Sequence, residues 1–104
     1  MYIPLAGFAT KLTKSVSPTT NYLPIPQANY QILLDNLADG DYSYLMFREG
    51  NTIEIVKITN NCGKIVLVRG AEKTHARAFR CGVGVAFVLT AQGVKDTICQ
   101  MQEC

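Results

Sequence analysis

The stretch from Tyr42 to Arg69 constrains the fold of this chain more than any other. Tyr42 to Arg48 is aromatic and apolar, Thr52 to Thr59 is rich in β-branched residues, and Lys64 to Arg69 encloses an unbroken apolar run. Between them lie Glu49-Gly50-Asn51 and Asn60-Asn61-Cys62-Gly63. Branched and aromatic side chains suit a pleated surface, and short Gly/Asn connections join neighbouring strands as hairpins. The spacing therefore predicts three strands in an antiparallel meander. Gly82 to Leu89 supplies a fourth. Within Thr52–Thr59 the alternation slips, because Ile53 and Ile55 fall on one face while Val56 and Ile58 fall on the other. Either a bulge intervenes or both faces are covered.

Two segments carry a helical period. Tyr30, Leu33, Leu34 and Leu37 share one face of a short helix around residues 28–37, which the turn signal Asp39-Gly40 ends. Thr90 offers an N-cap to a short C-terminal helix in which Val94, Ile98 and Met101 form the apolar stripe expected to dock. Gly93 weakens its first turn by roughly 1 kcal/mol relative to alanine. Residues 1–29 read differently. Three of the four prolines fall at Pro18, Pro24 and Pro26, so Leu23-Pro24-Ile25-Pro26 belongs on a sheet edge. Lys11–Val16 and Asn21–Ile25 suit short extended pieces around a turn at Ser17–Thr20. Such an arm either finds its partner on another chain or folds back on its own domain. The expected organisation is an extended N-terminal arm over residues 1–29 and a compact domain over 30–104. The expected fold class is mainly β: a small antiparallel sandwich or barrel-like sheet with two minor helices.

At 104 residues the chain is one domain, and a domain of that size has a thin core. Its net charge of +2 does not by itself indicate a nucleic-acid or membrane-surface role. No apolar run approaches the roughly 20 residues that span a bilayer, and Met1–Thr10 lacks the early positive charge of a signal peptide. Cys62, Cys81, Cys99 and Cys104 form no C-x-x-C pair and read as reduced thiols.

Catalytic chemistry finds little purchase. The single histidine, His75, lies between Lys73 and Arg77 with no carboxylate placed to orient it. Asp35, Asp39 and Asp41 form an acidic cluster without the spaced ligands of a calcium loop, and read as a solvated turn. Gly82 and Gly84 lack the third glycine and the helix of a dinucleotide site, and suggest a bulge or a close backbone approach. No cofactor or small-molecule substrate is expected. The informative segment is Arg69-Gly-Ala-Glu-Lys-Thr-His-Ala-Arg-Ala-Phe-Arg80, a long connection carrying Arg69, Lys73, Arg77 and Arg80 against one acid, Glu72. Long ordered connections in small domains tend to be functional. This one could bind phosphates, could pair with acids across a subunit interface, or could be solvated. With one aromatic, Phe79, and no groove-reading helix, the nucleic-acid case is weak.

The order of residues here also resembles a pattern found in bacteriophage tail proteins, approximately E-x-V-x-V-T, a turn, V-x-R-G-x-E-G-T-T-A-x-A, an apolar strand and L-T-A. The matching residues are Glu54–Thr59, Ile65–Glu72, Thr74, Ala76–Phe79, Gly82 and Leu89–Ala91. The resemblance covers about Tyr42 to Val94. It departs at Lys73, where the pattern has glycine, and at His75, where it has threonine. A loop relying on glycine's positive φ must there be reshaped or hold a left-handed lysine. The resemblance implies a non-catalytic virion component, a tail, baseplate or fibre-attachment piece assembled in the host cytoplasm. Its partners would be copies of itself and other tail proteins. The alternatives are a head-side connector or decorating protein, and a small basic-loop regulatory or nucleic-acid-binding module. The candidate interface comprises Arg69, Glu72, Lys73, His75, Arg77, Phe79 and Arg80 in the loop. It also includes Asp35, Asp39 and Asp41 in the cluster, and Tyr22, Leu23 and Ile25 in the arm.

Overall fold

A computed structural model describes residues 1–101. Five antiparallel strands form one sheet in the order β1-β5-β2-β3-β4. They are β1 (Ala9–Lys11), β2 (Tyr42–Glu49), β3 (Thr52–Asn61), β4 (Lys64–Ala71) and β5 (Gly84–Phe87), with helices α1 (Gln27–Asn36) and α2 (Ala91–Met101). Both hairpins of the meander have two-residue turns. Glu49 pairs with Thr52 around Gly50, whose φ is 60°, and Asn61 pairs with Lys64 around Cys62 and Gly63, at 54° and 85°. Positive φ at these positions gives the turn the twist of its strands. Among the described residues, no helix is long and apolar enough to cross a membrane.

One face of the sheet carries the core: Leu45 and Phe47 from β2, Val56 and Ile58 from β3, Ile65 and Leu67 from β4, and Val85 from β5 are all buried. On β3 the buried positions are Glu54, Val56, Ile58 and Asn60, in unbroken alternation. The apparent slip at Ile53–Val56 is a carboxylate in a core position. A bulge is present as well, but on the neighbouring strand. Ile55 pairs with Ala71 and Lys57 with Val68, which leaves one extra residue in β4 at Arg69-Gly70.

The layer above this face is made by α1 and the N-terminal segment, not by a second sheet. Leu33 and Leu37 are fully buried, and Tyr30 and Leu34 pack beside them, as the helical spacing predicts. The N-terminal residues do not form a free arm. β1 pairs with β5, and Leu5, Phe8, Leu12, Val16, Leu23 and Ile25 are buried in the same cluster. A thin four-stranded core leaves apolar area open, and the chain's own proline-rich segment covers it. The segment and α1 together also close the outer edge of β4. There the Leu67 N–H donates to the Asn21 carbonyl at 2.8 Å, and the Ile65 N–H to the Tyr30 hydroxyl at 2.9 Å.

The C-terminal helix docks by the side opposite to its expected stripe. Thr90 is the N-cap, its Oγ1 accepting from the Gly93 N–H at 2.9 Å. Val94 and Ile98, however, are 39% and 49% exposed, and the Met101 side chain lies outside the described residues. The contacts run through Gln92, Asp96 and Gln100. The Gln92 N–H donates to Glu72, the Tyr42 hydroxyl to Asp96, and the Tyr2 N–H to the Gln100 side chain. Beneath them lies not an apolar floor but a tyrosine cluster, Tyr2, Tyr42 and Tyr44, with ring centroids 5.8–6.2 Å apart. Its hydroxyl and backbone groups need polar partners. The Tyr42 hydroxyl, ahead of Gln92 and Lys57, holds the Asp96 carboxyl below its ordinary value. Gly93 has a tertiary reason too. A Cβ there would stand 2.8 Å from the Tyr2 ring and hydroxyl. Gly93→Ala is therefore expected to lower the melting temperature, against the gain of about 1 kcal/mol that helix propensity alone would give. A thermal melt followed by circular dichroism decides it.

Candidate subunit interface

The connection after β4 is held from beneath by one buried ion pair. Glu54 is fully buried on the core face of β3, and across the bulge the Arg69 guanidinium meets it twice, Nε to Oε2 at 2.6 Å and Nη2 to Oε1 at 2.8 Å. The carboxylate also accepts the backbone N–H groups of Gly70 at 3.0 Å and Arg77 at 2.8 Å. Burial pushes the Glu54 carboxyl up, but Arg69 and these two donors outweigh it, and the group sits below its ordinary value. Arg69 in turn donates to the carbonyls of Ser17, Thr20 and Arg77, and lies 5.6 Å over the Phe47 ring. A single pair thus ties together β3, β4, the Ser17–Thr20 turn and the far side of the loop.

Two further anchors fix the connection. The Thr74 hydroxyl donates to the Ala71 carbonyl at 2.6 Å and accepts the Ile55 N–H at 3.0 Å. Phe79 is 2% exposed, stands edge-on to Phe47 and exchanges both backbone hydrogen bonds with Val16. Between Ala71 and Thr74 the chain turns through left-handed residues, Glu72 at φ 53° and Lys73 at 65°. At Lys73 this lysine holds the geometry that glycine adopts without strain. Lys73→Gly is expected to stabilise the protein by about 1 kcal/mol, read as a shift in urea midpoint.

The candidate residues now separate by role. Lys73, His75, Arg77 and Arg80 are exposed, Arg80 in a surface pair with Glu49 at 2.8 Å. Arg69 is the buried clamp, its side chain 8% exposed, and Glu72 receives the N-terminal turn of α2. Phe79, Leu23 and Ile25 are corrected from interface to core, because the thin sheet needs their apolar area for itself. Tyr22 is exposed and bridges to Val66 on β4. Asp35 and Asp39 are exposed. Asp39 accepts the Cys62 N–H, and Asp41 is taken by the Ala38 N–H and the chain's amino terminus.

Topology sets these two groups apart. β2 and β4 run in the same direction, each antiparallel to β3. The acidic turn precedes the start of β2 and the basic loop follows the end of β4, so they lie at opposite ends of the sheet. No pairing within one chain is open to them. The residues that sequence reasoning passed over are Glu54 and the carbonyls of Ser17 and Thr20. An acid at an even position among Val56, Ile58 and Asn60 was the available signal for the first. Comparison with family models and with curated proteins found no match to this chain.

Proposed function

We propose that this chain is a non-catalytic structural component of a bacteriophage virion, a tail, baseplate or fibre-attachment piece acting through contacts between subunits. The observation that carries the reading is the basic loop, held rigid by the buried Glu54–Arg69 pair while Lys73, His75 and Arg77 project outward. Ordering costs are met on folding and not on docking, which is how a preformed contact surface gains affinity. The tail-protein pattern supports the reading in the same place. Its glutamate, its R-G pair and its T-x-A segment fall on Glu54, Arg69, Gly70 and Thr74–Ala76, the residues that build this support. The loop of one copy docks on Asp35 and Asp39 of the next. Such a head-to-tail contact is heterologous and generates rings or filaments.

A mixing experiment tests the contact. One variant carries Lys73→Glu and Arg77→Glu, the other Asp35→Lys and Asp39→Lys, all at exposed positions. Neither variant should self-associate in sedimentation at low salt, whereas their mixture should form mixed oligomers that added salt dissolves. A mixture that stays monomeric refutes the contact. Absence of the chain from purified particles by mass spectrometry refutes the virion role.

A further inference from the structure

At one end the second face of the sheet is covered by α2 over Tyr42 and Tyr44, and the rest of that face is built for a partner of a different kind from the loop's. By register its strands present Lys11, Gly84, Arg48 and Ile53 in one row and Ala9, Ala86, Met46 and Ile55 in the next, with Lys57 and Val68 beyond. Ile53 is 41% exposed and Val68 54%, while Met46 and Ile55 are half-buried. No strand position on this face carries an acid. Among the described residues, the acids at its margins, Glu49, Glu72 and Asp96, are already engaged by Arg80, α2 and Tyr42.

At one side the small residues Ala9, Gly84 and Ala86, with Met46 and Arg48, line an open cradle of about 310 Å³. Gly84 is not required there by the fold. Its φ is not positive, and a Cβ would meet nothing closer than the Arg48 carbonyl at 3.9 Å. Glycine inside a strand costs stability, and where neither strain nor packing demands it the backbone is left open to close approach. It sits directly between Lys11 and Arg48 in the register.

We infer that this face docks an extended segment of another protein in which apolar and acidic side chains alternate. The apolar residues would cover Met46, Ile53 and Ile55, the acids would meet Lys11 and Arg48, and the segment's backbone would pass over Gly84. A second copy of the chain is the wrong occupant for a face-to-face contact, because it would set Lys11, Arg48 and Lys57 against themselves. This surface is distinct from the basic loop, and the inference stands or falls independently of the head-to-tail contact.

The probe is a short synthetic peptide of alternating glutamate and leucine, titrated into the full chain and followed by amide and methyl NMR. Shifts confined to residues of this face are expected. Lys11→Glu with Arg48→Glu should weaken binding at least about tenfold. Gly84→Val should abolish it while the melting temperature holds or rises, since the cradle is filled and the strand strengthened. Four results overturn the proposal: equal binding of a lysine–leucine peptide, shifts centred on the 72–80 loop, dimerisation through this face, or binding to anionic phosphatidylserine vesicles without binding to the peptide.

Discussion

Replacing Glu54 with alanine is expected to destabilise the protein by about 3–5 kcal/mol, a large share of the total stability of a domain this size. The substitution leaves the Arg69 guanidinium buried without its counter-charge, and removes the acceptor from the N–H groups of Gly70 and Arg77. Each of those donors then bears its own desolvation cost. Glu54→Leu combined with Arg69→Met is expected to recover only the share due to the unpaired guanidinium, because an apolar pair of similar volume substitutes well for a buried ion pair while the N–H groups of Gly70 and Arg77 stay without their acceptor. Loop order would not recover with it. Arg69 also holds the carbonyls of Ser17, Thr20 and Arg77, so hydrogen exchange at the Thr20 turn and the 72–80 loop should stay fast in the double variant. Urea titrations of the three proteins, with exchange on the wild type and the double variant, separate stability from rigidity.

The same group predicts an acid dependence. Its carboxyl is lower in the folded protein than its ordinary 4.5, so its contribution is complete above that value. The contribution is lost as pH falls through the lower, folded value. Wild-type stability should therefore drop in that acid window. Glu54→Gln should be less stable at neutral pH and lack this part of the drop. Parallel acid losses in the two proteins would show that the pair is not the source.

Phe79→Ala is expected to cost about 3–5 kcal/mol in the isolated chain, the usual range for emptying a buried phenylalanine site. Phe79 is 2% exposed and its ring stands edge-on to Phe47 at 5.6 Å. The measurement also distinguishes two roles for the residue. An aromatic reserved for a neighbouring subunit would leave monomer stability nearly unchanged and weaken assembly alone. A melting temperature within a degree or two of wild type would return Phe79 to the interface.

Legibility in the sequence tracked the range of the interactions involved. The strands of the meander, both hairpin turns, α1 with its Leu33–Leu37 stripe and the Thr90 cap were readable, since each depends on neighbours a few residues away. The role of Glu54 was not. It is set by Arg69 across a bulge, and a lone acid in a strand reads equally well as an exposed one. The helix α2 shows the same limit from the other side. Its apolar period correctly indicates a helix, yet the surface that receives it is a set of tyrosines with polar needs, so it turns Asp96 and Gln100 inward.

By itself, then, the sequence determined a mainly antiparallel β protein, the places of its hairpin turns and the position of a basic connection from Arg69 to Arg80. Only the tertiary structure decided which of those charges are available. Burial converted Arg69 into a clamp, drew Phe79, Leu23 and Ile25 into the core, and left Lys73, His75 and Arg77 outside. Alternation along a strand specifies two faces. Which face is closed depends on what the rest of the chain brings to cover it, and here the proline-rich N-terminal segment made that choice.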